Sequence, residues 1–299
     1  MNAINWKCGL STNVKIITKE TFDLYARAGI DCMEVSCGHL DYDKDMDYKA
    51  LKKWANDSGV ELWSYHIPFA PFEQINIATF DTELRKKSVE LAKKSIDIAC
   101  ELETKVAVIH PSGEPNKDEE RHGLLESAKE CLAVLAEYAD KKGVVIAVED
   151  LPRTCLGNCA DDILEILKAD DRLRVCFDTN HLLKERNIDF IKACGSKIIT
   201  THVSDYDFLN ERHWLPYEGE NDWVGIVTAL EECGYCGPFL FEIGLTAPES
   251  ITRRDLTHED FYNCYKACIN KEPFTALGVP VEEVCKGKLA YYKTPIITK

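Results

Sequence analysis

Long apolar runs are missing from this chain of 299 residues. No stretch of about 18 consecutive apolar residues occurs, so no segment reads as a membrane-crossing helix. The opening MNAINWKCGLST has no basic segment leading into an apolar one, the pattern by which a secretory signal is read. A cytoplasmic protein without a membrane partner is therefore expected. Positive charge is also scarce: 36 Lys and Arg against 51 Asp and Glu leave a formal charge of -15 at pH 7. An acidic surface repels a phosphate backbone unless a local basic groove compensates, which disfavours nucleic acid as a partner. No glycine-rich phosphate loop follows the first strand-like run, which counts against a dinucleotide-binding fold. No nucleophilic Ser or Cys arrangement stands out. Cysteine itself is plentiful, at 14, but the thiols are scattered through apparent helices and strands, so a disulfide framework is not expected. Of the close pairs Cys155/Cys159, Cys233/Cys236 and Cys264/Cys268, only the second has redox-motif spacing. It sits in GYCGP, whose residues mainly make a turn.

What the chain does contain is regular. With 45% hydrophobic residues it can bury a large core. Eight strand-like runs recur: WKCGL (6–10), CMEVS (32–36), ELWSYH (61–66), KVAVIH (105–110), VVIAVE (144–149), LRVCFD (173–178), KIITTHV (197–203) and PFLFEI (238–243). Between them lie amphipathic stretches such as TKETFDLYARAGI and LLESAKECLAVLAEYADKKG, with apolar residues three and four apart. Gly29, Gly59, Gly143 and Gly234 close helices just before the next strand. Eight strands alternating with helices predict an α/β fold, a single (β/α)8 TIM barrel over 1–245, with residues 246–299 forming a C-terminal helix (258–270) and extended tail. That tail is expected to pack on the barrel or on a partner subunit, which leaves a homo-oligomer open.

In such a barrel the chemistry sits at the C-terminal ends of the strands. Those ends are polar throughout: His66, His110, Glu149, Asp178 with His181 just beyond, His202 with Asp205 after it, and Glu242. The loop after the seventh strand adds Glu211, Arg212 and His213. Five of the eight histidines of the chain fall in these few positions. Taken alone, each has an ordinary explanation as a hydrogen-bonded loop residue or a paired carboxylate. Together, clustered carboxylates and imidazoles repel or stay unpaired unless a cation neutralises them. Mixed oxygen and nitrogen donors suit Mn²⁺, Zn²⁺, Co²⁺ or Fe²⁺, and the lack of thiolates at the mouth disfavours a structural zinc.

The motifs VIHPSGE, VEDLP, CFDTNH, THVSD, RHWLPYEGENDW and FEIG, in this order, resemble the xylose-isomerase-like TIM barrels. That superfamily includes sugar isomerases and epimerases, inosose dehydratases and the endonuclease IV group, and the resemblance is greatest to the sugar phosphate isomerase and epimerase members. It implies that Glu149, Asp178, His202 and Glu242 hold one divalent ion (Mn²⁺, Co²⁺, Zn²⁺ or Mg²⁺), with Glu149 and Glu242 doubling as the acid/base pair. His181 and Arg212 would bind substrate oxygens, and Glu34 matches a position that often contacts substrate. The implied activity is isomerisation or epimerisation of a sugar or polyol-derived ketone, by proton abstraction next to a carbonyl through a metal-stabilised enediolate. Alternatives on the same scaffold are a lyase (inosose dehydratase or elimination from a 3-oxo-glycoside) and a multi-zinc abasic-site endonuclease. For the endonuclease, His66, His110, His181, Glu211 and His213 would join the ligand set for further zinc ions, with Glu211 in place of the usual Asp. A metal- or sugar-binding module without catalysis is the remaining alternative.

Overall fold

The computed structural model describes residues 4–42 and 46–295. Strands β1 (Cys8–Asn13), β2 (Cys32–Ser36), β3 (Glu61–His66), β4 (Val106–Ile109), β5 (Val145–Glu149), β6 (Arg174–Asp178), β7 (Ile198–His202) and β8 (Phe239–Phe241) form one sheet. The strand order is β7-β6-β5-β4-β3-β2-β1-β8 and every pairing is parallel. The cylinder closes just past β7, where Val203 pairs with Phe241 and its amide donates to Leu240 O at 2.8 Å. The chain is therefore the (β/α)8 barrel that the alternation of strands and helices predicts.

The outer layer consists of α1 (Lys19–Ala28), α2 (Tyr48–Ser58), α3 (Thr82–Glu101), α4 (Arg121–Asp140), α5 (Ala160–Leu167), α6 (Asn187–Cys194), α7 (Trp223–Glu232) and α8 (His258–Asn270). Gly29 and Gly59 end α1 and α2 in the left-handed region, at φ 85° and 77°, where a residue without a Cβ carries no steric penalty. The first strand starts later than the run WKCGL suggests. Trp6 is held outside the sheet by its indole N–H to Tyr235 O at 2.8 Å, whereas Ser11, Thr12 and Asn13 pair with Glu34, Val35 and Ser36. Their polarity hides a strand whose inner side chains serve the site rather than the core.

Two-residue alternation along the strands sets the inner face in layers. Val106, Val108, Ala147 and Cys176, with Ile199, make a small apolar floor inside the barrel, separate from the large core between sheet and helices. One step further along each strand, above that floor, stand His110, Glu149, Asp178 and His202. Two irregularities tune the register. The β2–β3 pairing skips Trp63, so Ser64 lies opposite Glu34 and His66 opposite Ser36. The β6–β7 pairing skips Ile199, so Asp178 lies opposite His202. Such bulges re-aim side chains next to sites.

After β8 the chain returns through α8, which packs on α1 and α7. Its N-terminus is closed by a capping box between Thr257 and Asp260. The segment beyond α8 then crosses the mouth side of the barrel, where the Tyr291 and Tyr292 amides both donate to Leu209 O at 3.0 Å. The fourteen cysteines are free thiols, and no helix among the described residues is long and apolar enough to cross a membrane.

Candidate active site at the barrel mouth

Glu149, at the end of β5, is the hub. Its Oε2 lies 3.0 Å from His66 Nε2 and 3.1 Å from His110 Nε2, and its Oε1 lies 3.0 Å from His202 Nδ1. Burial opposes its ionisation, but the His202 and His110 charges hold its carboxyl well below the usual range. His202 Nδ1 also faces Glu242 Oε2 at 3.6 Å and Asp178 Oδ2 at 4.0 Å. Glu149, Asp178, His202 and Glu242 thus each offer one ligand atom within 4.8 Å of the others, and only Glu242 reaches appreciable solvent.

Asp178 is the least satisfied member. Its Oδ1 accepts from Asn180 N at 2.6 Å, whereas the buried Oδ2 has no hydrogen-bond partner. Burial pushes this carboxyl well above the usual range against the pull of His181, and the Glu242 and Glu149 charges push the same way. Three carboxylates and an imidazole converging on one point, with an orphaned oxygen aimed at it, fit a single divalent cation.

Three other histidines are anchored alike. The Nδ1 of His66 faces Ile67 O at 3.0 Å, that of His181 faces Asp150 O at 2.8 Å, and that of His213 faces Glu242 O at 3.1 Å. Each carbonyl takes the Nδ1 proton and leaves Nε2 for the mouth. His181 Nε2 lies 3.4 Å from Glu211 Oε2, and His181, Glu211 and His213 form a second group of close ligand atoms. His213 holds φ at 53°, a conformation that costs a non-glycine residue energy and is kept only where the surroundings enforce it. His110 stacks on Phe69, centroids 4.1 Å apart. Burial lowers its tendency to protonate, against the charge of Glu149.

The structure places two expected substrate contacts elsewhere. Arg212 points away from the cluster: its guanidinium donates to Asp207 Oδ2, Leu289 O and Cys285 O, each at 3.0 Å. Glu34 is fully buried beneath His202, with Ser11 Oγ on Oε1 at 2.8 Å and Ser64 Oγ on Oε2 at 2.7 Å. Burial raises its carboxyl, yet the charge of His202 and the contact with it hold it at about 2. Asp205 spends both oxygens on its own loop, accepting from the Tyr206, Asn221 and Tyr217 amides and the Trp223 indole.

Sequence reasoning passes over Asp150, Arg153 and Glu114. Asp150 follows Glu149 and so faces the opposite side of the strand, where Oδ1 accepts from Asp178 N at 2.7 Å. Arg153 bridges Glu114 and Glu211, with Nη1 2.9 Å from Glu211 Oε1. The residues were visible in VEDLPR and HPSGE, but nothing local shows that two distant loops meet.

Beside Glu242 a cavity of about 440 Å³ opens between the ends of β1 and β8, with Ser11, Asn13, Ser36, His213 and Leu245 among its walls.

The model of the family described as xylose isomerase-like TIM barrel matches residues 22–258. An uncharacterized protein of Methanocaldococcus jannaschii is 27% identical over 250 residues, covering 80% of this chain and 84% of its own. The D-psicose 3-epimerase of Agrobacterium fabrum is 22% identical over 232 residues, 73% of this chain and 76% of its own. Among solved structures, a D-tagatose 3-epimerase-like protein superposes with a TM-score of 0.75 at 24% identity, over 89% of this chain and 97% of that one.

Proposed function

Because this chain belongs to the xylose isomerase-like TIM barrel family, we propose that it is a divalent-metal-dependent epimerase or isomerase of a sugar or polyol-derived ketone. The observation that carries this reading is the quartet of Glu149, Asp178, His202 and Glu242, with ligand atoms within 4.8 Å at the mouth. Its likeness to a D-psicose 3-epimerase along most of both chains supports the substrate class. When bound, a divalent ion supplies Lewis-acid polarisation of a carbonyl and offsets the charge that develops on its oxygen.

The chain's own residues supply the proton transfers. In the metal-free site His202 and His110 keep Glu149 ionised, as a general base must be before it accepts a proton. Glu242 follows the end of a different strand, β8, and lines the cavity, whose volume is within the range of small-molecule sites. Two carboxylates reaching a planar enediolate from different sides can remove the proton on one face and return one on the other, which inverts the carbon. A return to the neighbouring carbon gives isomerisation instead.

The test is exchange of solvent deuterium into a panel of ketoses and inososes by chelator-stripped and Mn²⁺- or Co²⁺-reconstituted protein. Exchange next to the carbonyl that is lost on stripping and restored by metal is expected. Turnover indifferent to metal removal overturns the mechanism, and an unsaturated product identifies a lyase. The second ligand group, His181, Glu211 and His213, favours one competing reading, a multi-zinc phosphodiesterase. Against it, Arg153 already offsets the charge of Glu211. Metal analysis separates the two: about one ion per chain for the ketone enzyme, two or three zincs with cleavage of an abasic duplex for the other.

A further inference from the structure

We propose that Glu34 is a positioning residue that fixes which nitrogen His202 presents to the metal quartet; the inference rests on the metal-dependent reading above. His66, His181 and His213 are all held through Nδ1 by main-chain carbonyls and turn Nε2 to the mouth. His202 is mounted the other way round. Its Nδ1 faces Glu149 Oε1, Glu242 Oε2 and Asp178 Oδ2 at 3.0, 3.6 and 4.0 Å, and its Nε2 lies 2.9 Å from Glu34 Oε1. That last contact is short but off the line of a well-formed hydrogen bond, and Nε2 has no other partner in its fully buried position. For a proton on Nε2 the carboxylate in reach is Glu34, and the Cys176 thiol, which also contacts the ring, is a much weaker acceptor. With the Nε2 proton held by Glu34, the Nδ1 lone pair is left for a cation among the three carboxylates.

The fold spends several features on this contact. Ser11 from β1 and Ser64 from β3 each donate to one oxygen of Glu34, which fixes the rotation of the carboxylate. Ser64 is in place only because the β2–β3 pairing skips Trp63, and Trp63 itself reaches across the barrel to donate to Thr200 Oγ1 at 3.1 Å, two residues before His202. Glu34 is wholly buried, so it acts on His202 and not on a substrate in the cavity.

The experiment is a Mn²⁺ titration of the chelator-stripped full-length protein, wild type against Glu34→Gln and Ser64→Ala, followed by calorimetry and by the electron paramagnetic resonance of free Mn²⁺. Glu34→Gln, nearly the same shape, should weaken Mn²⁺ binding about 10- to 100-fold, the usual effect of losing a carboxylate behind a histidine ligand. Ser64→Ala should shift it in the same direction by less, and it keeps the test open if Glu34→Gln does not fold. In Zn²⁺-loaded protein, nitrogen NMR of the histidine rings should show His202 as the Nε2–H form. Unchanged Mn²⁺ affinity in folded Glu34→Gln, or an Nδ1–H ring for His202, overturns the role of Glu34. So does a variant that loses ketose affinity with Mn²⁺ affinity intact, because Glu34 would then touch substrate. Wild-type protein that binds no Mn²⁺ overturns the metal-dependent reading and this inference with it.

Discussion

Asp178 has a buried carboxyl oxygen that no hydrogen bond of the metal-free fold satisfies, and this makes it the most informative single residue. Its Oδ2 is buried without a hydrogen bond, with His181 Nδ1 and His202 Nδ1 no nearer than 3.6 and 4.0 Å, while Oδ1 accepts from Asn180 N. Asp178→Asn keeps an acceptor for that amide and removes a carboxylate from among Glu149 and Glu242. We expect the metal-free variant to be more stable than wild type by about 1 kcal/mol in urea unfolding, and to have lost divalent-ion binding in the same titration. A variant less stable than wild type would show that Asp178 is paired in the apo protein. Arg212 illustrates the opposite relation between sequence and site. It sits between two cluster residues, Glu211 and His213, yet the three successive side chains diverge, and its guanidinium belongs to Asp207 and the tail. Adjacency in the loop does not reveal that, because a loop lacks the fixed periodicity that sorts strand residues by face.

At the scale of elements, the mouth loops are fastened by segments far away in sequence. Arg212 and Asn210 both donate to Leu289 O, and Arg212 also to Cys285 O, so the tail holds the loop that carries Glu211 and His213. Arg212→Ala leaves Cys285 O without this donor, Leu289 O with Asn210 alone, and the Asp207 charge without its guanidinium. It should cost about 3 kcal/mol and expose the segment after residue 281 to limited proteolysis, whereas a tail that stays protected would refute the fastening. Helix α8 depends on its first turn in a second way. Thr257 and Asp260 cap each other, and Arg254 grips both Asp260 oxygens at 2.6 and 2.8 Å. The Arg254 hydrogen bonds hold the Asp260 carboxyl at about 2, below its ordinary 3.8, against a smaller opposing effect of burial. A depressed folded value stabilises the protein above the unfolded one, and that stabilisation is lost as pH falls from about 3.8 towards 2. Thr257→Ala should cost about 1 kcal/mol at neutral pH. Asp260→Asn should remove this part of the acid limb from a denaturation series between pH 5 and 2; an unchanged limb would place the sensitivity elsewhere.

For the whole molecule, the acidic balance of -15 and the charge cluster at the mouth lead to one expectation. A cation that binds the folded barrel and not the unfolded chain stabilises by mass action, by about 2.7 kcal/mol at a hundredfold excess over Kd. Adding Mn²⁺ to stripped protein should therefore raise the Tm in a concentration-dependent way. Asp178→Asn should abolish the rise and Glu34→Gln should displace it to higher concentration. A Tm indifferent to Mn²⁺, Co²⁺ and Zn²⁺ would deny the cluster its role.

Barrel and mouth residues were legible in the sequence because both follow from local rules. Strands and helices announce themselves by period, and the last inward residue of each strand must stand at the rim, which is why His66, His110, Glu149, Asp178 and His202 could be named before any geometry was known. The order of motifs such as VEDLP and CFDTNH was enough to mark the family resemblance. What only the tertiary structure decided is how these side chains are paired. Glu34 lies 168 positions before His202 in the chain, and the tail about 75 beyond the loop it fastens, in contacts that depend on barrel closure, on one skipped residue in β3 and on where the chain returns after α8. Periodicity assigns a residue to a face, but the partner it meets across the barrel is set by register and closure, which no local pattern encodes.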